Sequence, residues 1–132
     1  MVAAARSQAS PEAEPTPRNE VILWGRLPAA AEERVLPSGD SISVLRVVVP
    51  RRPGTGRTEA DRAPRQMVDT IDVVCWSART RRTAQRLNAG DWIEVEGALR
   101  RRFFGGPGGR QSRYEVEAAV LRRLVRGGPR AT

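Results

Sequence analysis

The chain has no histidine and a single cysteine, Cys75, among its 132 residues. Histidine is the most common general base and metal ligand in proteins, so its absence removes the usual centre of acid–base and zinc chemistry. One cysteine cannot form an internal disulfide bond or a cysteine cluster, and without histidine its thiol lacks the usual activating partner. We therefore expect Cys75 to be a small core residue, and the sequence predicts no enzyme, no metal site and no cofactor.

Apolar residues are also scarce, at 39% of the chain. No apolar run is long enough to span a membrane, and the N-terminal segment lacks the hydrophobic core of a secretion signal. We therefore expect a cytoplasmic protein in which part of the chain stays outside the packed domain. The segments expected to be disordered are residues 1–18, rich in alanine, serine, glutamate and proline, and the basic tail 125–132.

Lysine is absent as well, so all 23 basic residues are arginines, and the net charge is +8 with a pI of about 11.4. This balance favours an anionic partner, with nucleic acid first and an acidic membrane surface second. Arginine suits phosphate forks and stacking on bases better than lysine does. Several arginines fall in residues 50–67, which are rich in proline and glycine and are expected to form a flexible basic loop.

Short β-branched and alternating segments predict five strands. Between the third and the fourth strand, residues 78–87 predict a short surface helix with Gly90 as its C-cap. Five strands with one helix in that position are the order of an OB-fold barrel, so the sequence predicts an all-β, five-stranded OB fold. The predicted strands span residues 21–27, 42–49, 68–76, 92–100 and 114–124.

The same alternation predicts which side chains enter the barrel core. In the third strand, Ile71, Val73 and Cys75 share one face, and Trp76 projects from the opposite face. In the first strand nearly every residue is apolar, which predicts cover on both of its faces. The other side chains predicted to share an inward face are Leu45, Val47 and Val49, then Ile93, Val95, Gly97 and Leu99, and finally Val116, Ala118 and Val120.

Five segments carry motifs that belong together. They are NEVILWGRL at 19–27, EERVLPSG at 32–39, DTIDVVCW at 69–76, AGDWIEVEGAL at 89–99 and EVEAAVLRRL at 115–124. In this order and spacing they resemble the bacterial single-stranded DNA-binding protein family. The resemblance covers about residues 19–124, and it marks this range as the predicted domain.

The resemblance implies an OB barrel that assembles as a homotetramer and wraps single-stranded DNA, with aromatic rings stacked on bases and basic groups along the phosphates. It places Trp76, and Phe104 or its neighbour Phe103, at stacking positions. The chain departs from the family where Thr70 replaces a stacking aromatic, and Asp72 adds an acid to the implied DNA face. The acidic tip that ends the family's main members is also missing, which favours a short paralogue that does not recruit tail-binding repair enzymes.

The candidate DNA-binding residues are aromatic rings and arginines on the long loop, near the helix and around the last hairpin. For any one arginine the alternative is a solvated surface charge, and for Trp76 it is a place in the barrel core. Because Phe103 and Phe104 are adjacent, one is expected to pack inward and one outward. The candidates are Trp76, Phe103, Phe104, Arg51, Arg52, Arg57, Arg79, Arg100, Arg102, Arg110 and Arg113.

Together these features predict sequence-tolerant binding of single-stranded DNA in replication, recombination or repair, by a cytoplasmic protein associated with the nucleoid. Two alternatives stay open. The chain could be a protein-interaction OB module of a replication-restart complex, which the missing stacking aromatics and Asp72 favour, or an RNA-binding OB module. The arginines concentrated in three segments argue against the protein-interaction alternative.

Overall fold

A computed structural model of the chain describes residues 13–52 and 67–127. Within these ranges the chain forms six strands and one helix. Their bounds, in chain order, are β1 Val21–Arg26, β2 Glu32–Val35, β3 Ser41–Pro50, β4 Val68–Cys75, α1 Ala78–Gln85, β5 Trp92–Phe104 and β6 Gln111–Val125.

Five of these strands form a closed ring in the order β1–β5–β6–β4–β3, and β3 returns to β1 through the pair Arg26 and Val48. The neighbours in the ring are antiparallel, apart from β4 and β6, which run parallel. Helix α1 lies between the third and the fourth strand of the ring. The arrangement is an OB-fold barrel, which confirms the predicted fold.

Strand β2 is an addition that the sequence analysis does not predict. Within the described residues it pairs with β3 and with no other strand, and all four of its side chains are exposed. Without an inward-facing apolar residue, the strand has no alternation by which it could be recognised. It extends the sheet beyond the barrel, beside the surface described below as the candidate interface.

The core lies inside the ring and consists largely of the predicted side chains. Cys75 is fully buried, and burial raises the pKa of its thiol to about 11, as expected of a small core residue. Two predicted core residues, Leu99 and Val120, are instead exposed. Predicted residues that are buried in the core are Leu45, Val47, Val73, Cys75, Ile93, Val95, Val116 and Ala118.

Leu99 is exposed because β5 continues beyond the barrel as far as Phe104. Its alternation is intact, but no core lies opposite this part of the strand. A related correction applies to β1, where Leu23 faces the core while Ile22 and Trp24 are exposed. The prediction of cover on both faces of β1 is therefore wrong for the isolated chain.

Val120 is exposed because a β-bulge changes the phase of β6. Gly97 pairs with Ala118, whereas the residue before Gly97 pairs with Val120, so Ala119 is an extra residue in β6. A bulge of this kind sends the following side chains to the opposite face. As a result Leu121 enters the core in place of Val120.

Helix α1 begins after Ser77, whose side-chain oxygen accepts a backbone N–H of the first turn. This is a favourable N-cap. The helix ends at Gln85 with Arg86 as its C-cap, two residues earlier than predicted. Gly90 is not the C-cap, because with φ +93° it lies in the turn at 88–91 that leads into β5. Among the described residues, no helix is long and apolar enough to cross a bilayer.

Asp91 joins this turn to the end of β6. Its buried carboxylate accepts the backbone N–H groups of Asn88 at 2.8 Å and Gly127 at 2.7 Å, and it pairs with Arg123 at 2.9 Å. Burial alone would raise the pKa of Asp91, but the hydrogen bonds and the guanidinium hold it below its ordinary value. The ionised carboxylate therefore ties the turn before β5 to the end of β6.

Candidate nucleic-acid interface

Strands β5 and β6 form a long hairpin whose outer end projects beyond the barrel. Their pairing continues to Phe104 opposite Gln111, and residues 105–110 form the tip. Residues directly opposite each other in an antiparallel pair share a face, so the projecting part has two faces. The groove face carries Arg100, Arg102, Phe104, Arg113 and Glu115, and the back face carries Leu99, Arg101, Phe103, Ser112 and Tyr114.

An open groove of about 640 Å³ lies between the groove face and the hairpin that β2 makes with β3. This volume is within the range of roughly 300–1,000 Å³ that is usual for ligand sites. The groove is lined by both charged and aromatic side chains. They include Arg34, Arg46, Asp72, Arg102, Phe104, Arg113 and Glu115.

Trp76 follows directly after β4, beside this groove. Trp76 is 37% exposed, whereas the last three residues of β4, Val73 to Cys75, are buried. The guanidinium of Arg102 lies over its ring, 5.8 Å from the centroid. Trp76 is therefore partly exposed and is not a residue of the barrel core.

Phe103 and Phe104 lie on opposite faces of the hairpin, as their adjacency requires, and both are exposed. Phe104 is 40% exposed on the groove face, with the Arg113 guanidinium 5.5 Å from its ring centroid. Phe103 is 51% exposed on the back face, beneath the guanidinium groups of Arg101 and Arg110 at 4.8 Å each. The expectation that one of the two packs inward is wrong, because the hairpin has left the barrel at this point.

Each of the carboxylates on or beside the groove face is paired with an arginine. Arg102 contacts Glu115 at 3.3 Å and Arg100 contacts Glu117 at 3.0 Å. Asp72, the acid that the sequence places on this face, is matched by Arg46 at 3.3 Å. The Arg46–Asp72 and Arg100–Glu117 pairs are exposed and are worth only about 0–1 kcal/mol, so a phosphate can replace the carboxylate there at little cost, whereas Glu115 is only 14% exposed.

The predicted arginines outside the hairpin are more scattered. Arg51 is held by Asp69 in a forked contact at 2.7 and 3.0 Å, and this hydrogen bonding lowers the pKa of Asp69. Arg52 is exposed at the start of the long loop, and Arg57 lies outside the described residues. Arg79 is exposed on helix α1 and is not among the residues that line the groove. The hairpin, rather than the loop or the helix, brings most of the predicted residues together.

Arg34 and Arg46 line the groove but were not among the predicted residues. Arg46 alternates with Leu45 and Val47 in β3, so its outward direction could have been inferred from the pattern. Arg34 lies on β2, the strand without an inward-facing apolar side chain, and no signal in the sequence indicated it. In the described parts of the chain, histidine, cysteine and acidic side chains form no group that could hold a metal ion.

Comparison with known proteins agrees with this arrangement. The model of the single-strand binding protein (SSB) family matches residues 18–124, which is most of the chain. The chain belongs to the single-strand binding protein family. Its fold is also similar to that of a Plasmodium falciparum SSB solved in complex with ssDNA, with a TM-score of 0.67. That likeness has 16% sequence identity and covers 85% of this chain and 99% of the other. A search of curated protein sequences gives no match.

The family match and the sequence motifs cover nearly the same residues. The match begins one residue before the first motif and ends with the last one, one residue before the end of β6. The groove, Trp76 and both faces of the hairpin all fall inside the matched residues. The surface described above therefore belongs to the SSB domain itself and not to a segment added to it.

Proposed function

We propose that this SSB-family protein binds single-stranded DNA with little sequence preference, and that it acts by binding rather than by catalysis. The bases stack on Trp76 and Phe104, and the phosphates contact arginines of the groove face. Roles in replication, recombination or repair, in the cytoplasm and at the nucleoid, follow from that activity as part of the same proposal.

One observation carries this proposal beyond family membership. Two exposed aromatic rings, Trp76 and Phe104, lie next to the same groove, and each has a guanidinium over one face. A base has a flat π-face that can replace or extend such a stack, and its phosphate can take up the arginine. A single strand of DNA therefore offers bases to the aromatic rings and phosphates to the guanidinium groups that alternate along this surface.

The surface also continues past Trp76. A second, more open depression is lined by Trp76 and Arg100, and farther along by Glu96, Glu117, Ile22 and Val120. Trp76 lies where this depression meets the groove, next to Arg102. A strand lying in the groove can thus reach the Trp76 ring, which supports a path longer than one or two nucleotides.

The test is a titration with single-stranded DNA, duplex DNA and RNA of equal length, each at two salt concentrations. Single-stranded DNA should bind most tightly, since a duplex keeps its bases stacked on each other and cannot offer them to protein rings. Its affinity should fall with a slope of about 0.7 in log–log form for each phosphate neutralised. Tighter binding to duplex DNA would overturn the proposal, and tighter binding to RNA would assign the groove to RNA.

We further propose that the protein is a homo-oligomer, with four copies as the family resemblance implies. The outer surface of β1, β5 and β6 exposes several large apolar side chains in one region. Solvent-exposed apolar surfaces of this kind commonly mark interfaces between protein chains. The exposed residues are Ile22, Trp24, Trp92, Val120 and Val125.

A further inference from the structure

The back face of the β5–β6 hairpin has the same alternation of rings and guanidinium groups as the groove face. Arg101 lies 4.8 Å from the centroid of Phe103 and 5.5 Å from that of Tyr114, and Arg110 lies over Phe103. The two rings are 51% and 57% exposed. The back face therefore exposes two aromatic rings and two guanidinium groups, placed alternately, to solvent.

The two faces differ in their acids. On the groove face Arg102 is paired with Glu115 and Arg100 with Glu117. On the back face Arg101 hydrogen-bonds the hydroxyl of Ser112 at 3.2 Å, and neither Arg101 nor Arg110 forms an ion pair within the described residues. The back face is thus the more positive of the two. An anion should bind more favourably there, because it does not have to displace a carboxylate from Arg101 or Arg110.

This charge decides between two kinds of occupant. A second copy of the chain meeting the back face symmetrically would bring its own Arg101 and Arg110 against the same pair, which costs energy by like-charge repulsion. A nucleic acid strand instead complements both kinds of group, since its phosphates contact the guanidinium groups and its bases stack on Phe103 and Tyr114.

The hairpin is also narrow enough for one strand of nucleic acid to reach both faces. It is two β-strands wide, roughly 5 Å between neighbours, and Phe104 on the groove face directly follows Phe103 on the back face. Four of the six tip residues are glycines, and an added Cβ atom at Gly105 or Gly106 would have nothing within 4 Å, so the tip carries few side chains that could obstruct a strand. A chain leaving the Phe104 stack therefore meets the Phe103 stack next.

We propose that single-stranded DNA bound in the groove continues around the hairpin tip onto the back face. There Phe103 and Tyr114 stack on bases, and Arg101 and Arg110 contact phosphates. The inference rests on the proposed function, and it adds a second binding surface to the one already described. It assigns a role in DNA contact to Tyr114 and Arg101, which the sequence analysis did not select.

The test measures affinity against the length of oligothymidylate, from about 4 nucleotides upward through the 4–16 nucleotides that an OB fold typically covers. For the shortest lengths, which the groove can hold alone, Tyr114→Ala and Arg101→Ala should bind within about twofold of the wild type. For lengths that pass the tip, each should bind about tenfold more weakly, because a stack or a phosphate contact is lost.

Two matched variants control the test. Tyr114→Phe keeps the ring and should bind like the wild type at every length. Arg82→Ala removes one exposed arginine on helix α1, away from the hairpin, and should show no dependence on length. Photocrosslinking of wild-type protein to a long oligothymidylate, followed by mass spectrometry, should find Tyr114 or Phe103 joined to DNA, whatever the stability of the variants.

The outcomes separate this inference from the proposed function. If the wild type binds no single-stranded DNA, the proposed function fails, and this inference fails with it. If Trp76→Ala weakens binding while the back-face variants bind all lengths normally and no back-face crosslink forms, the inference alone is overturned. If the back-face variants change the mass of the assembly by light scattering at unchanged affinity, the face is a contact between copies, and the inference is likewise overturned.

Discussion

Among individual residues, Trp76 is the one at which stacking can be separated from charge. Its ring is exposed beside Arg102, and stacking on an aromatic ring contributes roughly 1–3 kcal/mol per base. Trp76→Ala should therefore weaken binding of single-stranded DNA by about tenfold or more, with a nearly unchanged salt slope. Arg113→Ala should instead lower the slope by about 0.7, since one phosphate contact is lost. Titrations at several salt concentrations measure both quantities.

The melting temperature is the control for this prediction. Trp76 lies outside the barrel core, so its replacement by alanine should leave the melting temperature close to that of the wild type. Trp76→Phe keeps a ring at the position and should retain most of the affinity. If Trp76→Ala melted much earlier and its folded fraction bound DNA normally, Trp76 would be a packing residue and the DNA face would be wrongly assigned.

Residues of this surface differ in how far the sequence alone could reveal them. The alternation of β4 predicted an exposed Trp76, although it placed Val74 on the same face and Val74 is buried in the structure. The exposure of both Phe103 and Phe104 could not be predicted, since it depends on how far the hairpin extends past the barrel. The pairing of Asp72 with Arg46 is likewise a contact between β3 and β4, and no spacing along the chain reports the register of two strands.

Among the elements, the bulged part of the β5–β6 hairpin requires a glycine at position 97. A Cβ atom added to Gly97 would lie 1.9 Å from the carbonyl oxygen of Glu117, a backbone atom that cannot move aside alone. Gly97→Ala should therefore destabilise the barrel by at least the roughly 1–3 kcal/mol typical of overpacking. Gly105→Ala, at the hairpin tip with nothing within 4 Å, is the matched control and should leave stability nearly unchanged.

Chemical denaturation of both variants checks this prediction through the free energy of unfolding. Equal stability of the two would mean that the strands do not approach each other at Gly97 as described. The same bulge shows why the core of β6 could be predicted only in part. Val116 and Ala118 follow the alternation, but the extra residue Ala119 is defined by the pairing with β5 and not by β6 itself. The order of strands was predictable from the pattern, whereas their pairing register was not.

For the whole molecule, the buried carboxylate of Asp91 predicts how stability depends on pH. Its folded pKa is lowered, so Asp91 contributes stability that is complete above its unfolded pKa of roughly 3.9 and is lost as the pH falls through the folded value. Glu94, whose pKa is lowered by hydrogen bonds from Trp24 and Arg122, adds to the same trend. We therefore expect the melting temperature to fall as the pH drops below about 4.

Asp91→Asn isolates the contribution of this carboxylate. At pH 7 the variant should be less stable by roughly 1–3 kcal/mol, because charged hydrogen bonds to Arg123 and to two backbone N–H groups are weakened. At acidic pH the difference should shrink, since Asp91 is then protonated in the wild type as well. Melting curves of both proteins across this range measure the effect. A difference that stayed constant from pH 7 to pH 3 would show that ionised Asp91 does not hold these parts of the chain together.

The state of assembly is also a property of the whole molecule, and the outer surface of β1, β5 and β6 makes it testable. Glu94 lies among the apolar side chains of that surface, but it accepts a hydrogen bond from Trp24 at 2.7 Å and pairs with Arg122 at 2.7 Å. A carboxylate that is satisfied within its own chain can be covered by a partner without leaving an unpaired buried charge. Glu94 therefore does not prevent burial of this surface between copies, but Glu96, which lies between Ile22 and Val120 in the strand pairing, would also have to be covered.

Ile22→Glu tests the proposed assembly on this surface. The side chain of Ile22 is 64% exposed, so a glutamate there should fold normally in a single chain but should place a new charge inside an interface. Light scattering at micromolar concentration should give the mass of four copies for the wild type and a smaller mass for the variant. Val35→Glu, at a 73% exposed apolar side chain on β2, is the control and should leave the mass unchanged. A wild type with the mass of one chain would refute the proposed assembly, and an Ile22→Glu variant with the wild-type mass would place the interface elsewhere.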